Sequence, residues 1–548
     1  MEGKRMMEDH VLAFQTFGTM LDCSRNAVPN MQSLKKWIDL TAELGYNTLL
    51  LYTEDTYEIP GEPFFGYLRG RFSQDELREA DRYARSRGMT LIPCIQVLAH
   101  LLQIKRWPTY RSHFDTDDIL LVGDERVYEL IDRMFASIAD CFTCKTVHIG
   151  MDEAHKLGRG KYYDLHGDCD RTKLMLEHLR RVCRIGEKYG FRFLMWSDMF
   201  FRLASGGKYY ASDVMFKDEI RSMIPDNVEL VYWDYYHTEK PDYDGMIEAH
   251  ENLQPGTWFA GGLWSWTGFA PHNGFSIAAT KAALKSCLEH GVQNVFLTLW
   301  GDDGAECSRF ALLPSLYYAA KLAKGNVDEA SIKRGFEARF GIPFDAFMEL
   351  DLPGTLNAAE GAQCNQEKYL LYNDCFLGQL DSTVPAGCAE QYAACAARLK
   401  APAEQPEWGY LFRSMAALCC VLEIKAELGL RTREVYSAKD ADGLRALIPV
   451  YEELEARLAS FYAEYRRQWF RENKPHGFEV QDVRLGGLTQ RARSCRMRLQ
   501  EFCDGKIDRL EELEEALLDF CAGRTRKMSA TFNDWNELVT AGLTTANL

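Results

Sequence analysis

The sequence predicts a (β/α)8 TIM barrel followed by an α-helical C-terminal domain. A strand pattern and a helix pattern alternate eight times between Val11 and about Lys324. The strand candidates are short and hydrophobic throughout, as expected of parallel strands that are covered on both faces. Polar and aromatic residues follow the ends of these strands, which is where TIM barrels place their active sites.

Eight apolar runs give the predicted strands: Val11–Thr19, Asn47–Tyr52, Met89–Ile95, Thr146–Ile149, Phe191–Trp196, Val228–Trp233, Thr257–Leu263 and Asn294–Trp300. Helical stretches between them include Met31–Leu44, Gln74–Ser86 and Arg171–Tyr189. Ser73 and Glu76 form a capping box before the second of these helices. An open doubly wound sheet is the alternative, but no glycine-rich phosphate loop follows the first strand.

The pattern changes after Lys324, where helical periodicity and long charged stretches replace the strand signals. We therefore predict a catalytic barrel over residues 1–325 and a helical domain over residues 326–548. The predicted helices of the second domain are Gln391–Leu399, Tyr410–Glu427, Asp440–Gln468, Gly487–Asp504 and Leu510–Ala522. They offer no catalytic group of residues.

Composition narrows the function classes. The formal net charge is −16 over 548 residues, which argues against nucleic acid or an anionic membrane as a partner. No run of about 18 uninterrupted apolar residues is present to span a membrane, and no apolar run follows the basic residues at the start, as a signal peptide would need. The 17 cysteines then favour a reducing compartment, so we predict a cytoplasmic protein. Cys141 and Cys144 form a lone CxxC pair, and we predict no metal and no cofactor.

Residues 146–155 are the stretch around which the rest is organised. A short strand ends near Gly150, and two acids, Asp152 and Glu153, follow. Neighbours along a strand point to opposite faces, so both acids can serve one site only if the chain bends after Gly150. Similar polar or aromatic residues lie at the C-terminal ends of the other strands: Asp22, Arg25, Glu54, Asp55, His100, Trp196, Asp198, Tyr232, Asp234, Trp264, Trp266, Trp300 and Asp302.

The run His148-x-Gly150-x-Asp152-Glu153 resembles the signature of family 20 glycoside hydrolases, the β-N-acetylhexosaminidases, and the resemblance covers roughly the first 320 residues. It implies a retaining exo-enzyme that releases terminal β-linked GlcNAc or GalNAc by substrate-assisted catalysis through an oxazolinium intermediate. Glu153 would be the general acid/base and Asp152 would orient the acetamido group. As an acid at pH 7, Glu153 needs burial and neighbouring negative charge to hold its proton.

The same resemblance implies roles on strand six and around the acid. Tyr232-Trp233-Asp234 is similar to the family's Tyr-x-Asp, which makes Tyr232 the donor to the acetamido oxygen and Asp234 a ligand of sugar hydroxyls. Tyr235 is a rival for the donor, because one sequence does not fix the register. His100 with Asp55, or with Glu54, would support Glu153.

Tryptophans that follow strands suit an aromatic box, since their rings stack on the apolar faces of sugars. The members of the predicted box are Trp196, Trp264, Trp266 and Trp300. Trp300-Gly301-Asp302 resembles a family Trp-Gly-Glu whose acid binds sugar hydroxyls, so Asp302 is predicted to do the same.

One departure concerns the family's Arg five residues before the Asp of Asp-x-Ser-Arg. Asp22-Cys23-Ser24-Arg25 matches that motif, but the position of the preceding Arg is Phe17. We therefore count Arg25 with the substrate-binding residues and leave the choice between gluco- and galacto-configured sugars open. The predicted barrel starts near residue 11 without the family's usual accessory domain, which is typical of the compact, intracellular branch similar to hexosaminidase D.

Two other hypotheses remain: a barrel that binds sugar without cleaving it, and a glycosidase that uses two protein carboxylates. The predicted partner is an N-acetylhexosamine-terminated oligosaccharide or glycoconjugate. A homodimer is compatible with the sequence, which does not fix the oligomeric state.

Overall fold

Eight parallel strands close into a barrel in the computed structural model, which describes residues 12–358, 364–520, 534–540 and 542. Each strand pairs with its neighbours in sequence, and β8 returns to β1 with Thr16 opposite Asn294. The predicted fold class is confirmed. The strands are β1 Thr16–Asp22, β2 Thr48–Tyr52, β3 Thr90–Cys94, β4 Thr146–His148, β5 Arg192–Trp196, β6 Val228–Trp233, β7 Trp258–Gly262 and β8 Asn294–Leu299.

Helices alternate with these strands along the chain. The capping box predicted at the start of α2 is present, because the Ser73 hydroxyl accepts from the Glu76 N–H and the Glu76 carboxylate accepts from the Ser73 N–H. The helices up to Ala323 are α1 Met31–Leu44, α2 Gln74–Ser86, α3 Leu102–Lys105, α4 Glu125–Cys141, α5 Lys161–His166, α6 Arg171–Glu187, α7 Asp198–Ala204, α8 Asp218–Met223, α9 Lys240–Leu253, α10 Asn273–Glu289 and α11 Leu313–Ala323, with 3₁₀ turns at Arg111–His113 and Arg309–Leu312.

The first strand lies later in the chain than predicted. Val11 is outside the described residues, and β1 runs from Thr16 to Asp22. Ahead of it, the Ala13 N–H donates to the Ala323 carbonyl at 3.0 Å and the Gln15 N–H to the Gln293 carbonyl at 2.9 Å. These bonds hold the preceding segment outside the β1 ladder. The strand ends at Asp22, a residue predicted to lie beyond it.

Side chains alternate between the barrel interior and the surrounding helices, as the period of a strand requires. His148 and Trp196 meet inside the barrel with ring centroids 4.4 Å apart, and Phe296 lies 5.9 Å from Trp196. Phe193, three residues before Trp196, points outward and packs on Phe135 of α4 at 5.9 Å. This alternation decides which strand-end residues face the site.

The chain divides into two compact units. The first comprises residues 1–263, 276–299 and 316–328, and the second comprises residues 264–275, 300–315 and 329–548. The sequence predicted a single boundary at 325/326. In the structure, two short segments that precede this boundary group with the second unit instead.

The second unit is helical. Within it α17 packs against α16 and α19, and α19 packs against α20. The helices from residue 329 are α12 Glu329–Phe340, α13 Phe344–Met348, α14 Leu352–Thr355, α15 Gln366–Tyr372, α16 Cys388–Leu399, α17 Gly409–Lys425, α18 Leu428–Ser437, α19 Ala441–Glu472, α20 Phe478–Cys503, α21 Glu511–Glu514 and α22 Trp535–Val539, with 3₁₀ turns at Glu349–Asp351, Asp381–Thr383 and Pro402–Glu404.

Two of the helices predicted here need correction, and others were not predicted. The α18 helix was missed, and α20 starts at Phe478 because Gly486 and Gly487, which suggested a boundary, lie on its exposed face. The last predicted helix, Leu510–Ala522, is helical only over Glu511–Glu514. Its final two residues lie outside the described part of the chain.

A buried charge cluster ties the segment 300–315 to the helices of the second unit. The Lys368 ammonium is fully buried and lies 2.8 Å from both Asp303 and Glu306. Arg484 pairs with the same two acids at 2.9 and 3.0 Å. Buried charges are tolerated only when they are paired in this way. Among the described residues, the structure contains no helix with the length and apolar character needed to cross a membrane.

Candidate active site

The chain turns sharply after β4. The strand ends at His148, and φ is positive at Gly150 (+68°), Met151 (+70°) and Glu153 (+51°). Left-handed backbone at two residues other than glycine is costly and interrupts the alternation of a strand. The bend expected after Gly150 is present, and it brings the carboxylates of Asp152 and Glu153 to the same imidazole, that of His100.

Gln96 fixes the position of this turn from the end of the neighbouring strand, β3. Its amide Nε2 donates to Asp152 Oδ1 at 2.8 Å and to the Tyr52 hydroxyl at 3.0 Å. Its Oε1 accepts from the Met151 N–H at 3.1 Å. A Cβ at Gly150 would lie 2.0 Å from that oxygen, so only glycine fits there. The buried amide therefore positions one carboxylate directly and the turn around it.

His100 forms the central ion pair of the site. Its Nε2 lies 3.2 Å from Asp152 Oδ2 and 3.8 Å from Glu153 Oε2. Burial opposes the charge on the imidazole, but Asp152 outweighs it and raises the pKa of His100 to about 10. Burial likewise opposes the charge on Asp152, yet His100 and the Gln96 hydrogen bond lower the pKa of this carboxyl to about 2. The pair is therefore an imidazolium and a carboxylate across the neutral range.

Glu153 is the more exposed of the two adjacent acids. Its side chain is 41% exposed, whereas that of Asp152 is 13% exposed. Arg202 of α7 places Nη2 3.5 Å from Glu153 Oε1. We expected Glu153 to be buried and surrounded by negative charge, as an acid that holds its proton would be. That expectation is wrong for this structure, because the Glu153 carboxyl faces solvent between two cations.

A second group of polar residues lies at the ends of β1 and β2. Arg25 Nη1 is 3.3 Å from Asp22 Oδ2 and 3.5 Å from Glu54 Oε1, and the Tyr52 hydroxyl donates to the same Glu54 oxygen at 3.0 Å. Burial raises the pKa of Glu54 above its ordinary value. The His100 and Glu54 charges act on each other, but the two side chains form no ion pair within the described chain.

Asp55 does not support Glu153 as predicted. Its Oδ1 accepts from Arg69 at 3.2 and 3.4 Å. Arg69 also donates to the side chain of Asn26 at 2.9 Å, so it anchors the loop after β2 to the loop after β1. The side chain that pairs with His100 is Asp152, and the predicted pair of His100 with Asp55 is wrong.

Tyr232 faces away from the barrel interior. It stacks on His250 of α9 with centroids 4.6 Å apart, contacts Phe259 edge-on, and is 1% exposed. Its hydroxyl donates to Asp234 Oδ2 at 2.8 Å. The assignment of Tyr232 as the donor to an acetamido oxygen is therefore wrong, because its hydroxyl lies in the layer between strand and helix.

Asp234 is likewise committed to the loop that follows β6. Its Oδ2 also accepts from His237 Nδ1 at 2.7 Å, and its Oδ1 accepts from the Tyr236 N–H at 3.1 Å. Since the side chain is fully buried, a direct contact with sugar hydroxyls does not fit. Tyr235, the rival donor, stacks on Trp233 at 5.2 Å and 19° and stays a prediction.

The predicted tryptophans are divided between the two units. Trp196 lies inside the barrel against His148 and is 1% exposed. Trp264 and Trp266 belong to the second unit, where their rings stack at 4.4 Å and 30°. Trp300 and Asp302 belong to the second unit as well. Their roles toward a sugar stay predictions. Phe17, the departure from the family motif, stacks on Tyr46 at 4.5 Å between strand and helix.

Sequence reasoning missed three residues of the site. Gln96 lies two residues after β3, so its place near a strand end was the signal that could have found it. Asp198 accepts from the Glu153 N–H at 3.1 Å, and it was noted at a strand end but given no role. Arg202 lies one helical turn after Asp198, and that spacing on a helix was the available signal.

This arrangement can do two things chemically. Asp152, held ionised by an adjacent cation, can accept a hydrogen bond and stabilise positive charge that develops near it. Glu153, which is exposed beside it, can exchange a proton with a bound molecule. Within the described residues, no three His, Cys, Asp or Glu side chains converge as ligands for a metal ion.

Two domain profiles match the chain, and together they cover more than half of it. Residues 14–240 match "Glycosyl hydrolase family 20, catalytic domain". Residues 344–531 match "Glycoside Hydrolase 20C C-terminal domain". The first match spans β1 to β6 and includes Asp152 and Glu153.

Individual relatives are more distant. A β-hexosaminidase of Vibrio furnissii is 26% identical over 194 residues, which are 28% of this chain and 32% of that protein. The chain therefore spans about a third of the length of this curated relative. Among solved structures, an exo-β-N-acetylglucosaminidase of Vibrio harveyi in complex with N-acetylglucosamine aligns at a TM-score of 0.46 and 16% identity, covering 62% of this chain and 59% of that one. An N-acetyl-β-hexosaminidase of Streptomyces plicatus aligns at 0.45 and 18%, covering 62% and 69%.

Replacing Gly150 by alanine tests the turn. At φ +68° an L-residue costs about 1–2 kcal/mol, and the added Cβ would also displace Gln96. We expect Gly150→Ala to lower the free energy of unfolding by about 1–3 kcal/mol beyond the cost of the left-handed backbone. Urea unfolding measures this loss. Gly190→Ala is the matched control, because Gly190 has φ +75° and open space around it. Equal losses in the two variants would mean that Gln96 does not restrain the turn.

The pH dependence of stability tests the ion pair. The pKa of His100 is raised from 6.5 to about 10, so its contribution is complete below pH 6.5 and is lost as the pH rises toward 10. The pKa of Asp152 is lowered from 3.8 to about 2, so its contribution is lost only as the pH falls through that range. We expect the stability advantage of the wild type over His100→Asn in urea to shrink between pH 6.5 and 10.

Asparagine is chosen at this position because His100 has φ +57°, which asparagine tolerates. His166→Asn, on the exposed side of α5, is the control and should leave the pH profile unchanged. An advantage of the wild type that stays constant from pH 6 to 10 would contradict the charged pair.

Proposed function

Because this chain belongs to glycoside hydrolase family 20, we propose that it is a retaining exo-β-N-acetylhexosaminidase that releases terminal β-linked GlcNAc or GalNAc by substrate-assisted catalysis. One observation carries the proposal: the Asp152 carboxylate, ionised by His100, lies beside the exposed carboxyl of Glu153. The function of the whole protein is inferred, since its curated relative is matched over only about a third of its length. A reducing, cytoplasmic location is part of the proposal, and the described cysteines are free thiols.

Asp152 would accept the acetamido N–H of the substrate. Its Oδ1 already accepts from Gln96 at 2.8 Å and its Oδ2 lies 3.2 Å from His100. A carboxylate has about four lone-pair sites, so capacity for one more donor remains. The low pKa of Asp152 keeps it anionic while the substrate develops positive charge.

The substrate would supply the nucleophile. Its acetamido oxygen attacks the anomeric carbon, the bond to the leaving oxygen breaks, and an oxazolinium ion forms. Asp152 balances the positive charge of this ion. Water then attacks the anomeric carbon from the opposite face and restores the acetamido group, so the anomeric configuration is retained.

Glu153 would protonate the leaving oxygen and then take the proton of the attacking water. Its side chain is 41% exposed, and a sugar bound over Asp152 would cover it. Desolvation by that sugar favours the neutral acid. The burial that the sequence led us to expect would then come from the substrate.

Three side chains are candidates for the remaining contacts. Tyr235 is the candidate donor to the acetamido oxygen, because Tyr232 faces away from the site. Arg25 and Glu54, paired at 3.5 Å at the ends of neighbouring strands, are candidates for gripping sugar hydroxyls. They would take the place of the arginine that Phe17 replaces.

Asp152→Asn tests substrate assistance. It keeps the shape of the side chain and removes the charge that balances the oxazolinium ion. We expect kcat/KM for 4-nitrophenyl N-acetyl-β-glucosaminide to fall by roughly 10²–10³-fold. Glu153→Gln, assayed with chitobiose, a substrate whose leaving group is a sugar and therefore poor, should lose about 10²–10⁴-fold.

Two controls separate the alternatives. The wild type should not hydrolyse the plain glucoside, and a 2-deoxy-2-fluoro glycoside should leave no covalent label, since it lacks the acetamido nucleophile. A labelled carboxylate detected by mass spectrometry would select two-carboxylate catalysis. Sugar binding without turnover would select an inactive barrel.

A further inference from the structure

A third carboxylate, Asp198, lies behind the proposed acid. It opens α7 after β5, and its side chain is fully buried. Its Oδ2 accepts from the Glu153 N–H at 3.1 Å and from Arg202 Nε at 3.0 Å. Its Oδ1 is buried and has no hydrogen-bond partner among the described residues. A buried carboxylate with half of its capacity unused is costly, so its retention needs a reason.

Arg202 connects Asp198 to Glu153. The two residues of α7 are four positions apart, one helical turn, so their side chains meet on one face. The guanidinium directs Nε to Asp198 at 3.0 Å and Nη2 toward Glu153 Oε1 at 3.5 Å. The guanidinium carbon of Arg202 lies 5.6 Å from the centroid of the Tyr209 ring, and the Arg202 side chain is 18% exposed. One cation therefore faces two carboxylates from a fixed position.

The charges around Glu153 conflict with an acid that must hold a proton. His100 faces one carboxyl oxygen at 3.8 Å and Arg202 faces the other at 3.5 Å. Asp152 lies on the same imidazole, and His155 also interacts electrostatically with Glu153. Two cations beside a carboxyl favour its ionised form. Something must limit the charge that they present to Glu153.

We propose that Asp198 and Arg202 are positioning residues that set the proton affinity of Glu153, with the Arg202 charge divided between the two carboxylates. Asp198 holds the guanidinium by its shorter contact, so Glu153 receives only part of the charge and keeps its proton to a higher pH. The Asp198 carboxylate also holds the backbone of Glu153 in its left-handed conformation. This proposal rests on the acid/base role proposed for Glu153.

Burial and the neighbouring charges act on Asp198 in opposite directions. Burial, together with the neighbouring charge of Asp152, raises the pKa of Asp198 to about 7, while the Glu153 N–H and Arg202 oppose the rise. Arg202 therefore favours the ionised form of Asp198, which is the form that holds the guanidinium.

The pH profile of kcat/KM with chitobiose tests the proposal, because opposite shifts are expected from two variants. Arg202→Met removes the cation, so the basic limb should move up by about one pH unit. Asp198→Asn leaves Arg202 to Glu153 alone, so the basic limb should move down by about as much. An opposite charge at this distance shifts a carboxyl by about 1–3 units, and the exposure of Glu153 favours the lower end.

Two further variants control the test. Arg202→Lys keeps a charge and should retain much of the wild-type profile, and Arg180→Met removes an exposed arginine of α6 and should change nothing. Two results would overturn the proposal in favour of a purely structural pair. One is a fall in kcat/KM with no movement of the basic limb. The other is movement of the basic limb in the same direction in Arg202→Met and Asp198→Asn.

A second measurement does not depend on turnover. Glu153→Gln is introduced into three proteins: the wild type, Arg202→Met and Asp198→Asn. In each of them, the change in unfolding free energy that Glu153→Gln causes is measured by urea unfolding from pH 4 to 9. The pH at which this difference changes reports the protonation of Glu153 and should move up with Arg202→Met and down with Asp198→Asn. Shifts as expected without turnover of any N-acetylhexosaminide would refute the proposed function alone, whereas turnover without shifts would refute the charge sharing alone.

Discussion

The ion pair between His100 and Asp152 is the contact on which the rest of the site depends. Both charges leave water, which is costly unless their partners are close and well oriented. Gln96 supplies the second partner of Asp152 and binds the turn that carries it, and Gly150 leaves room for that amide. A neutral residue at either end would leave the other as a buried, uncompensated charge. The positions of β3, β4 and the turn between β4 and α5 are therefore coupled through one contact of 3.2 Å.

The fold could be predicted because the same strand–helix pattern repeats along the chain. Eight apolar runs separated by helical stretches leave few alternatives, and small errors such as the late start of β1 do not alter the topology. The Asp152–Glu153 pair was likewise predictable, because a strand, a glycine and two acids occur in one local stretch. The order of residues alone therefore contained the barrel and the two carboxylates at the end of β4.

The rest of the site depends on information that the local sequence lacks. Tyr232 and its neighbour Trp233 lie on opposite faces of β6, and a shift of one residue exchanges the two faces. A Tyr-x-Asp match cannot tell which face is inward. Asp55 and Glu54 follow the same strand, yet Arg69 captures only the former. Gln96 and Arg202 are too common in type to be recognised before their contacts are known. Residues 264–275 and 300–315 group with the helical unit. This division could not be predicted, because the composition of the chain does not change at these segments.

Backbone strain is concentrated where the proposed chemistry lies. Glu54, His100, Met151 and Glu153 all have positive φ, between +45° and +70°, a conformation that suits glycine or asparagine better than any of them. At Glu153, whose carboxyl is exposed, drift toward either residue would relax the backbone while removing the proposed acid. Selection for folding alone would thus erode the site. In a lineage released from selection for turnover, the expected end point is a barrel that keeps the paired His100 and Asp152 and has lost Glu153.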